Sequence, residues 1–302
     1  MQHEICGVIV IDKPADISSA RVVAIVKKLF GAKKVGHTGT LDPFATGVMV
    51  CCINRATRLA RFFLHGSKKY QAVLQLGVTT DTQDSTGNVT STVDRVDFSE
   101  TEIRSAVQRF RGAVEQLPPV YSALKHGGVP LYKLARNGNP VQKPPRRVFI
   151  SHIEIREINL PLVHFEVLCS AGTYIRALCA DIGSALGCGG HLKELRRIEN
   201  SGFTTEDAAT LTELEELARS GELSDRVIPM ARALRYMPEH LAGKNLTEKI
   251  MHGTLVTKED LMPGKAESGE GFIKIVDANN NLIAVLNYSG DSGKYSYACV
   301  FN

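Results

Sequence analysis

No stretch of this 302-residue chain is apolar over the roughly 20 residues that a membrane-spanning helix needs, so no membrane partner is expected. The first strand-like run, Gly7 to Ile11, also lacks the length and cleavage site of a signal peptide, which leaves a cytoplasmic protein as the default expectation. Seven cysteines make an odd count without a C-x-x-C pair, and this argues for reduced thiols rather than a disulfide framework. There is no internal repeat and no low-complexity tract. A hydrophobic content of 43%, a charged content of 23% and a mean hydropathy of -0.06 exclude a disordered or collagen-like chain. Nucleotide and hydrolase signatures are missing as well: no G-x-G-x-x-G follows a strand, there is no G-x-S-x-G or H-E-x-x-H, and Gly290-Asp-Ser-Gly-Lys-Tyr-Ser lacks P-loop spacing. Cys188 and His191 are close in sequence but lack the remaining ligands of a zinc site, so no metal is expected.

Net charge is small too, at +4, but it is unevenly spread. Residues 1–80 hold eleven Lys/Arg against four Asp/Glu, and residues 104–147 hold nine against one, whereas residues 206–225 hold one against seven. Two basic stretches are therefore masked by an acidic one, which fits either solvated surface charge or a polyanionic ligand. At roughly 150 residues per domain the length predicts two domains.

Gly7–Ile11 reads as a buried strand, followed by a helix that Ser18 or Ser19 caps and Gly31 ends. A Gly-rich loop, Gly36 to Gly47, leads into the apolar run Val48–Ile53, and Tyr70, Ala72, Leu74 and Leu76 alternate as one face of a strand. Ser99 and Glu102 form a capping box for a helix to about Arg111. Leu117 to Arg147 contains six prolines and no acid, the composition of a long functional loop, with a short helix near Leu131–Asn137. Ile153 and Ile155, then Val163, Phe165 and Val167, alternate as strands, and residues 174–186 turn helical. After an acidic helix at Thr212–Ser220, short strands beyond Gly243 around the turn Asn279–Asn281 mark a small β domain.

The densest segment for chemistry is Gly36-His-Thr-Gly-Thr-Leu-Asp42-Pro-Phe-Ala-Thr-Gly47. Three glycines allow a sharply folded loop whose backbone can approach a ligand, and Pro43 biases Asp42 toward extended geometry. In Ser170-Ala-Gly-Thr-Tyr-Ile-Arg176, Thr173 is a candidate N-cap, which puts Arg176 in a first helical turn where the dipole disfavours a cation. Arg176 therefore calls for an anionic partner: a substrate phosphate, a structural carboxylate, or Asp42 itself.

These segments, together with Asp12-Lys-Pro, Lys69-Tyr70-x-Ala, Leu76-Gly-x-x-Thr-Asp-Thr-x-Asp84, Pro118-Pro-x-Tyr-Ser-Ala-Leu-Lys125 and Leu195-Arg-Arg, resemble the bacterial tRNA pseudouridine(55) synthases, in family order from residue 7 to about 203. The resemblance implies an α+β fold: a mixed, mainly antiparallel central sheet flanked by helices in residues 1–240, and a small PUA-like β domain in 241–302. One departure is Asp16, where the family usually has glycine; Asp tolerates the left-handed conformation better than most residues.

By the same resemblance the reaction detaches uracil from C1′ of its ribose, turns the base and rejoins it through C5, with no cofactor. Asp42 is then the catalytic carboxylate, held ionised by Arg176, with three roles open: attack on the sugar, attack on the base, or removal of a ribose proton. Tyr70 stacks on the base and takes the C5 proton, Tyr174 and Leu195 line the pocket, and Asp84 belongs to the polar network of Arg176. The partner is the T stem-loop of tRNA, bound by a monomer, with His37 as the wedge that replaces the flipped base. The loop 117–147 acts as a thumb, with Lys125, Lys133, Arg136, Arg146 and Arg147 as phosphate contacts. A second reading is an RNA-folding chaperone with secondary or no catalysis, and an inactive Asp42 variant separates the two.

Overall fold

A computed structural model describes residues 4–261, 271–289 and 294–301. Residues 290–293 of the Gly290 segment, and parts of the expected small domain, lie outside the described residues. Strand β1 (Gly7–Lys13) is buried almost throughout and is followed by α1 (Ser19–Leu29). Ser18 is the cap of α1, its hydroxyl accepting from the Arg21 amide at 3.2 Å. In the turn between them Asp16 adopts φ 63°, so the residue standing in place of the family's glycine does take the left-handed conformation.

Strands β2 (Val35–His37) and β3 (Thr46–Ile53) flank the Gly-rich loop, and α2 (Ala60–Leu64) leads into β4 (Lys68–Leu76). Tyr70, Ala72, Leu74 and Leu76 are all buried, as their alternation predicts. A hairpin of β5 (Val78–Thr80) and β6 (Val89–Thr92) precedes α3 (Glu100–Gln108), whose Ser99–Glu102 capping box is present. Helix α3 stops short of Arg111 because the chain turns through Gly112, at φ 98°, into β7 (Gly112–Gln116).

The proline-rich segment carries a small hairpin, β8 (Lys125–His126) with β9 (Val129–Pro130), and α4 (Leu131–Arg136). It ends before Arg146, because Arg146 and Arg147 open the long strand β10 (Arg146–Asn159). Next come β11 (Leu162–Cys169), α5 (Ile175–Ala185), β12 (Gly190–Asn200) and the short β13 (Phe203–Thr204). Helix α6 (Leu211–Ser220) is capped by Thr210 and buries Leu214. After α7 (Met230–Ala233), the chain forms β14 (Glu239–Leu241), α8 (Lys244–Met251), β15 (Val256–Thr257), β16 (Gly271–Val276), β17 (Leu282–Ser289) and β18 (Lys294–Val300).

The central sheet runs β1-β3-β12-β4-β11-β10-β7, with β2 on β3 and β13 on β12. Only the β3–β12 pairing is parallel, so the sheet is mixed and mainly antiparallel, as expected. Its core face packs Tyr70, Leu74, Phe165 and Val167 against Ile103 and Val107 of α3 and Leu178 and Ile182 of α5. A second sheet, β14-β16-β17-β18-β15, is built from the C-terminal segment. Val276, Leu282, Val285 and Phe301 of that segment share an apolar cluster with Val8, Val10, Phe63 and Phe203. No described helix is long and apolar enough to cross a membrane.

Candidate active site

Asp42 is held by anchors on both sides of it. The Ser19 hydroxyl accepts from the Leu41 amide and donates to the Leu41 carbonyl, both at 2.9 Å. On the other side the buried Lys13 ammonium donates to the Pro43 carbonyl at 2.9 Å, and to the Pro14 and Ile17 carbonyls at 2.8 Å each. Gly47 closes the loop at φ 101°, and a Cβ there would stand 2.1 Å from the Arg197 carbonyl oxygen. The sequence suggested that these glycines bring backbone toward a ligand; Gly47 instead brings β3 against β12.

Helix α5 begins one residue later than proposed. Tyr174, not Thr173, is its N-cap, and Thr173 donates its hydroxyl proton back to the Ser170 carbonyl at 2.9 Å. The cap is supplied from β7 by Gln116, whose Oε1 accepts from the Tyr174 amide at 2.7 Å and whose Nε2 donates to the Tyr174 carbonyl at 3.0 Å. This fixes Arg176 in the first turn, 3% exposed.

Of the three candidate partners for Arg176, the structure supplies carboxylates. Its Nε lies 2.8 Å from Asp42 Oδ2 and 3.5 Å from Asp84 Oδ2. The remaining nitrogens donate to the Thr82 carbonyl at 2.8 Å and the Tyr121 carbonyl at 2.9 Å, so the same side chain ties the proline-rich loop to the site. Asp84 is braced in turn, its Oδ1 accepting from the Thr82 hydroxyl, the Thr86 amide and the Thr86 hydroxyl at 2.6–3.0 Å. Burial raises the Asp42 carboxyl above the usual carboxylate range, with Asp84 adding to the rise, while the Arg176 guanidinium and Lys13 oppose it. Arg176 acts in the expected direction, toward the ionised form, but against a desolvation effect that is larger.

Asp42, Tyr70, Tyr174, Arg176 and Leu195 converge on one pocket of about 310 Å³, together with Arg146. Arg146 therefore departs from its proposed place on the thumb: it leaves β10 toward the pocket and its guanidinium sits 4.6 Å from the Tyr174 ring centroid. Lys125, Lys133, Arg136 and Arg147 are exposed and line no wall of this pocket. His37 is half-buried at the end of β2, where its Nδ1 accepts from the Gly39 amide at 3.2 Å. Burial, with Arg197 adding, lowers its imidazole below the ordinary range, so the ring is neutral at pH 7.

Three interior cations around this site went unrecognised in the sequence. Lys13, Lys68 and Arg197 are 0%, 6% and 1% exposed, and each is hydrogen-bonded to backbone carbonyls. Burial pushes both lysines down to about 8. Their signal was present in Asp12-Lys-Pro, Lys68-Lys69-Tyr70 and Leu195-Arg-Arg, but a basic residue beside an RNA motif suggests a surface phosphate contact. Neighbouring basic residues do face outward: Lys69 pairs with Glu166 at 2.9 Å, and Arg196 pairs with both oxygens of Asp12 at 2.7 and 3.0 Å. A larger hollow of about 640 Å³ lies on that outer face across β4, β11 and β12, and its charges Arg156 and Glu166 are paired with each other at 3.0 Å.

Residues 27–175 match the N-terminal domain of the TruB family of pseudouridylate synthases, and residues 176–235 match the C-terminal domain of tRNA pseudouridylate synthase B. The tRNA pseudouridine synthase B of Syntrophotalea carbinolica is 44% identical over 232 residues, 77% of this chain and 76% of that protein. The chain belongs to the TruB family. It is accordingly a pseudouridine synthase, an isomerase. The corresponding protein of Geobacter sulfurreducens is 42% identical over 85% of both chains, and that of Syntrophus aciditrophicus is 39% identical over 93% of this chain and 91% of its own. Among solved structures, that of a Cbf5-Nop10-Gar1 complex superposes with a TM-score of 0.77 at 28% identity, covering 99% of this chain and 85% of that one. An H/ACA ribonucleoprotein bound to a substrate RNA containing 2′-deoxyuridine gives a TM-score of 0.73 at 26% identity, covering 99% and 84%.

Proposed function

We propose that this TruB-family isomerase converts the T-loop uridine at position 55 of tRNA into pseudouridine, with Asp42 as its catalytic carboxylate. The observation that carries the reading is the Asp42–Arg176 ion pair at the mouth of a pocket that Tyr70, Tyr174 and Leu195 complete. The side chain of Asp42 is 34% accessible, so one face meets the substrate while the other meets a fixed cation.

The uracil enters between Tyr70 and Leu195, and Asp42 acts as C1′ parts from N1. Positive charge from Arg176, Lys13, Lys68 and Arg197 surrounds the position of the departing base and stabilises it as an anion. After the base has turned, C5 bonds to C1′ and Tyr70 takes the C5 proton. His37, neutral and on the rim, fills the place that the flipped base vacates, at the expense of its hydrogen bond to Gly39. Lys125, Lys133 and Arg136 on the proline-rich thumb, and Arg147 beside it, contact RNA phosphates. The C-terminal sheet serves as a PUA-like RNA-binding unit beginning near residue 240, and the chain acts as a monomer.

The test incubates unmodified tRNA with the protein and maps pseudouridine by carbodiimide treatment and primer extension, with Asp42→Asn as control. A stop at the T-loop uridine that requires Asp42 supports the reading; no stop with wild type overturns it.

A further inference from the structure

Arg197 stands directly opposite Tyr70 in the β12–β4 ladder, and both line the pocket. Opposed residues of an antiparallel pair have their Cβ atoms about 4.5–5.5 Å apart, which puts a guanidinium within reach of a phenol. Arg197 is 1% exposed, yet among the described residues it has no carboxylate partner, whereas the adjacent Arg196 is paired with Asp12. Its Nε donates to the Val48 carbonyl at 2.7 Å and its Nη2 to the Gly39 carbonyl at 3.0 Å. Two carbonyls orient the guanidinium plane without neutralising its charge. Lys13 and Lys68 add to the same positive field, each held by carbonyls alone. An uncompensated buried cation is costly, so its position favours a state in which an anion stands beside it. The group it faces across the ladder is Tyr70, and the charge of Arg197 acts on the phenol hydroxyl. Burial lifts that hydroxyl above its ordinary range, and Arg197 is the largest influence in the other direction.

We propose that Arg197 is a positioning residue for proton transfer: from its place opposite Tyr70 it holds and neutralises the phenol oxygen while that oxygen moves a proton from C5 of the uracil ring to N1. The inference rests on the reading of this pocket as a uridine isomerase. When C5 has bonded to C1′, C5 still carries its hydrogen and N1 has none. The Tyr70 hydroxyl gives its proton to the N1 lone pair. The phenolate then takes the C5 proton, the C5–H pair becomes the C5–C6 double bond, and the C6–N1 double-bond pair returns to N1 as its lone pair. Tyr70 ends as a phenol, and no co-reactant enters. Arg197 supplies its charge during the interval in which the oxygen is an anion.

The experiment is single-turnover conversion of a T-arm RNA carrying either uridine or 5-deuterouridine at the target position. Wild type, Arg197→Gln and Arg197→Lys are compared, with a melting curve and an RNA affinity for each. Arg197→Gln is expected to slow conversion by about 10² or more, as loss of a fixed donor to a developing oxyanion does, with RNA affinity retained. Its deuterium isotope effect is expected to exceed that of wild type, because loss of the C5 proton has become the slow step. An unchanged rate, or a slower rate with the wild-type isotope effect, overturns the proposal and leaves Arg197 as a brace for Gly39 and Val48. If Arg197→Gln does not melt cooperatively, Arg197→Lys decides by the same isotope criterion. Wild type that leaves the RNA unmodified overturns the reading of the pocket itself, an outcome distinct from an active wild type beside an equally active variant.

Discussion

Asp42 and Arg176 meet at 2.8 Å with unequal exposure: the carboxylate side chain is 34% accessible and the guanidinium side chain 4%. The cation is fixed from behind by two carbonyls and a second carboxylate, so the pair is anchored at its buried end and open at its reactive end. Such an arrangement orients the carboxylate without occupying the face that meets substrate.

This asymmetry predicts an acid limb in the pH dependence of kcat/KM. The proposed role of Asp42 requires its ionised form; burial raises its ionisation above the usual range, and Arg176 opposes the rise. Activity therefore increases as pH climbs through the Asp42 ionisation. Arg176→Met removes the opposing charge and moves the limb to higher pH, while Arg176→Lys moves it less; a loss of about 10²-fold or more at neutral pH accompanies the former. A limb that stays in place in Arg176→Met assigns it to another group.

The two outer glycines of the catalytic loop differ in what they tolerate. Gly47 has φ 101° and no room, since an added Cβ would lie 2.1 Å from the Arg197 carbonyl oxygen. Gly36 has an ordinary backbone and its nearest neighbour would be Thr57 at 3.9 Å. Gly47→Ala is expected to lower stability by about 2 kcal/mol or more and to abolish conversion, because it forces β3 from β12 and displaces Arg197. Gly36→Ala stays within about 0.5 kcal/mol of wild type. Chemical denaturation beside the conversion assay measures both.

The difference between these glycines shows where the sequence was readable. Tyr70 and its alternating neighbours, the Ser99 capping box and the need of Arg176 for an anionic partner rest on local spacing or on charge that demands a partner, and these were visible along the chain, with Asp42 one of three candidates for that anion. Strand β12 was not, because Lys193, Glu194, Arg196, Arg197 and Glu199 make it look like surface. It is central because its backbone pairs with β3 and β4, and backbone pairing leaves no trace in side-chain polarity. Arg146 was misplaced for a related reason: a basic residue after two prolines reads as loop, whereas register with Gln116 of β7 makes it strand and aims it inward.

On the outer face of the sheet, Glu166 accepts from Gln71 and faces Lys69 and Arg156, which hold its carboxyl down at about 2. A depressed carboxylate contributes stability in full above its unfolded value near 4.5 and loses it as pH falls toward 2. Glu166→Gln is expected to cost about 1–2 kcal/mol at pH 7, less than the whole shift implies because Arg156 is half exposed, and to cost nothing near pH 2. Urea titrations at several pH values check the slope. Equal losses at pH 7 and below pH 3 would falsify the electrostatic origin.

Exposed bases on the thumb predict a salt signature. Lys133 and Arg136 lie on α4 with both side chains exposed, and Arg136 rests 5.7 Å from the Tyr132 ring centroid. If each meets a phosphate, replacing both with Ala weakens RNA binding and reduces the slope of log affinity against log salt by about 0.7–0.9 per contact. Glu215→Gln and Glu216→Gln on acidic α6 leave the slope unchanged. A slope unmoved by the thumb substitutions removes the thumb from the phosphate contacts.

Lys13 and Lys68 together predict that activity and stability part company on the alkaline side. Both ammonium groups are pushed down to about 8 by burial, so both lose their charge as pH rises through that value. On the proposed mechanism this weakens the positive field at the departing base, and kcat/KM is expected to fall by about tenfold per pH unit or more above pH 8. Folding responds in the opposite sense. Between pH 8 and the ordinary lysine value of 10.5 the unfolded chain binds more protons than the native one, so these two groups make the folded state more stable as pH rises. Buried thiols reverse this only above their ordinary value of 9.0, where Cys52 and Cys169, pushed up to about 12 and 11, begin to favour the unfolded chain. Between pH 8 and 9, turnover should therefore decline while the melting temperature holds or rises. A melting temperature that falls in step with activity there would assign the loss to unfolding and not to the discharge of the two lysines.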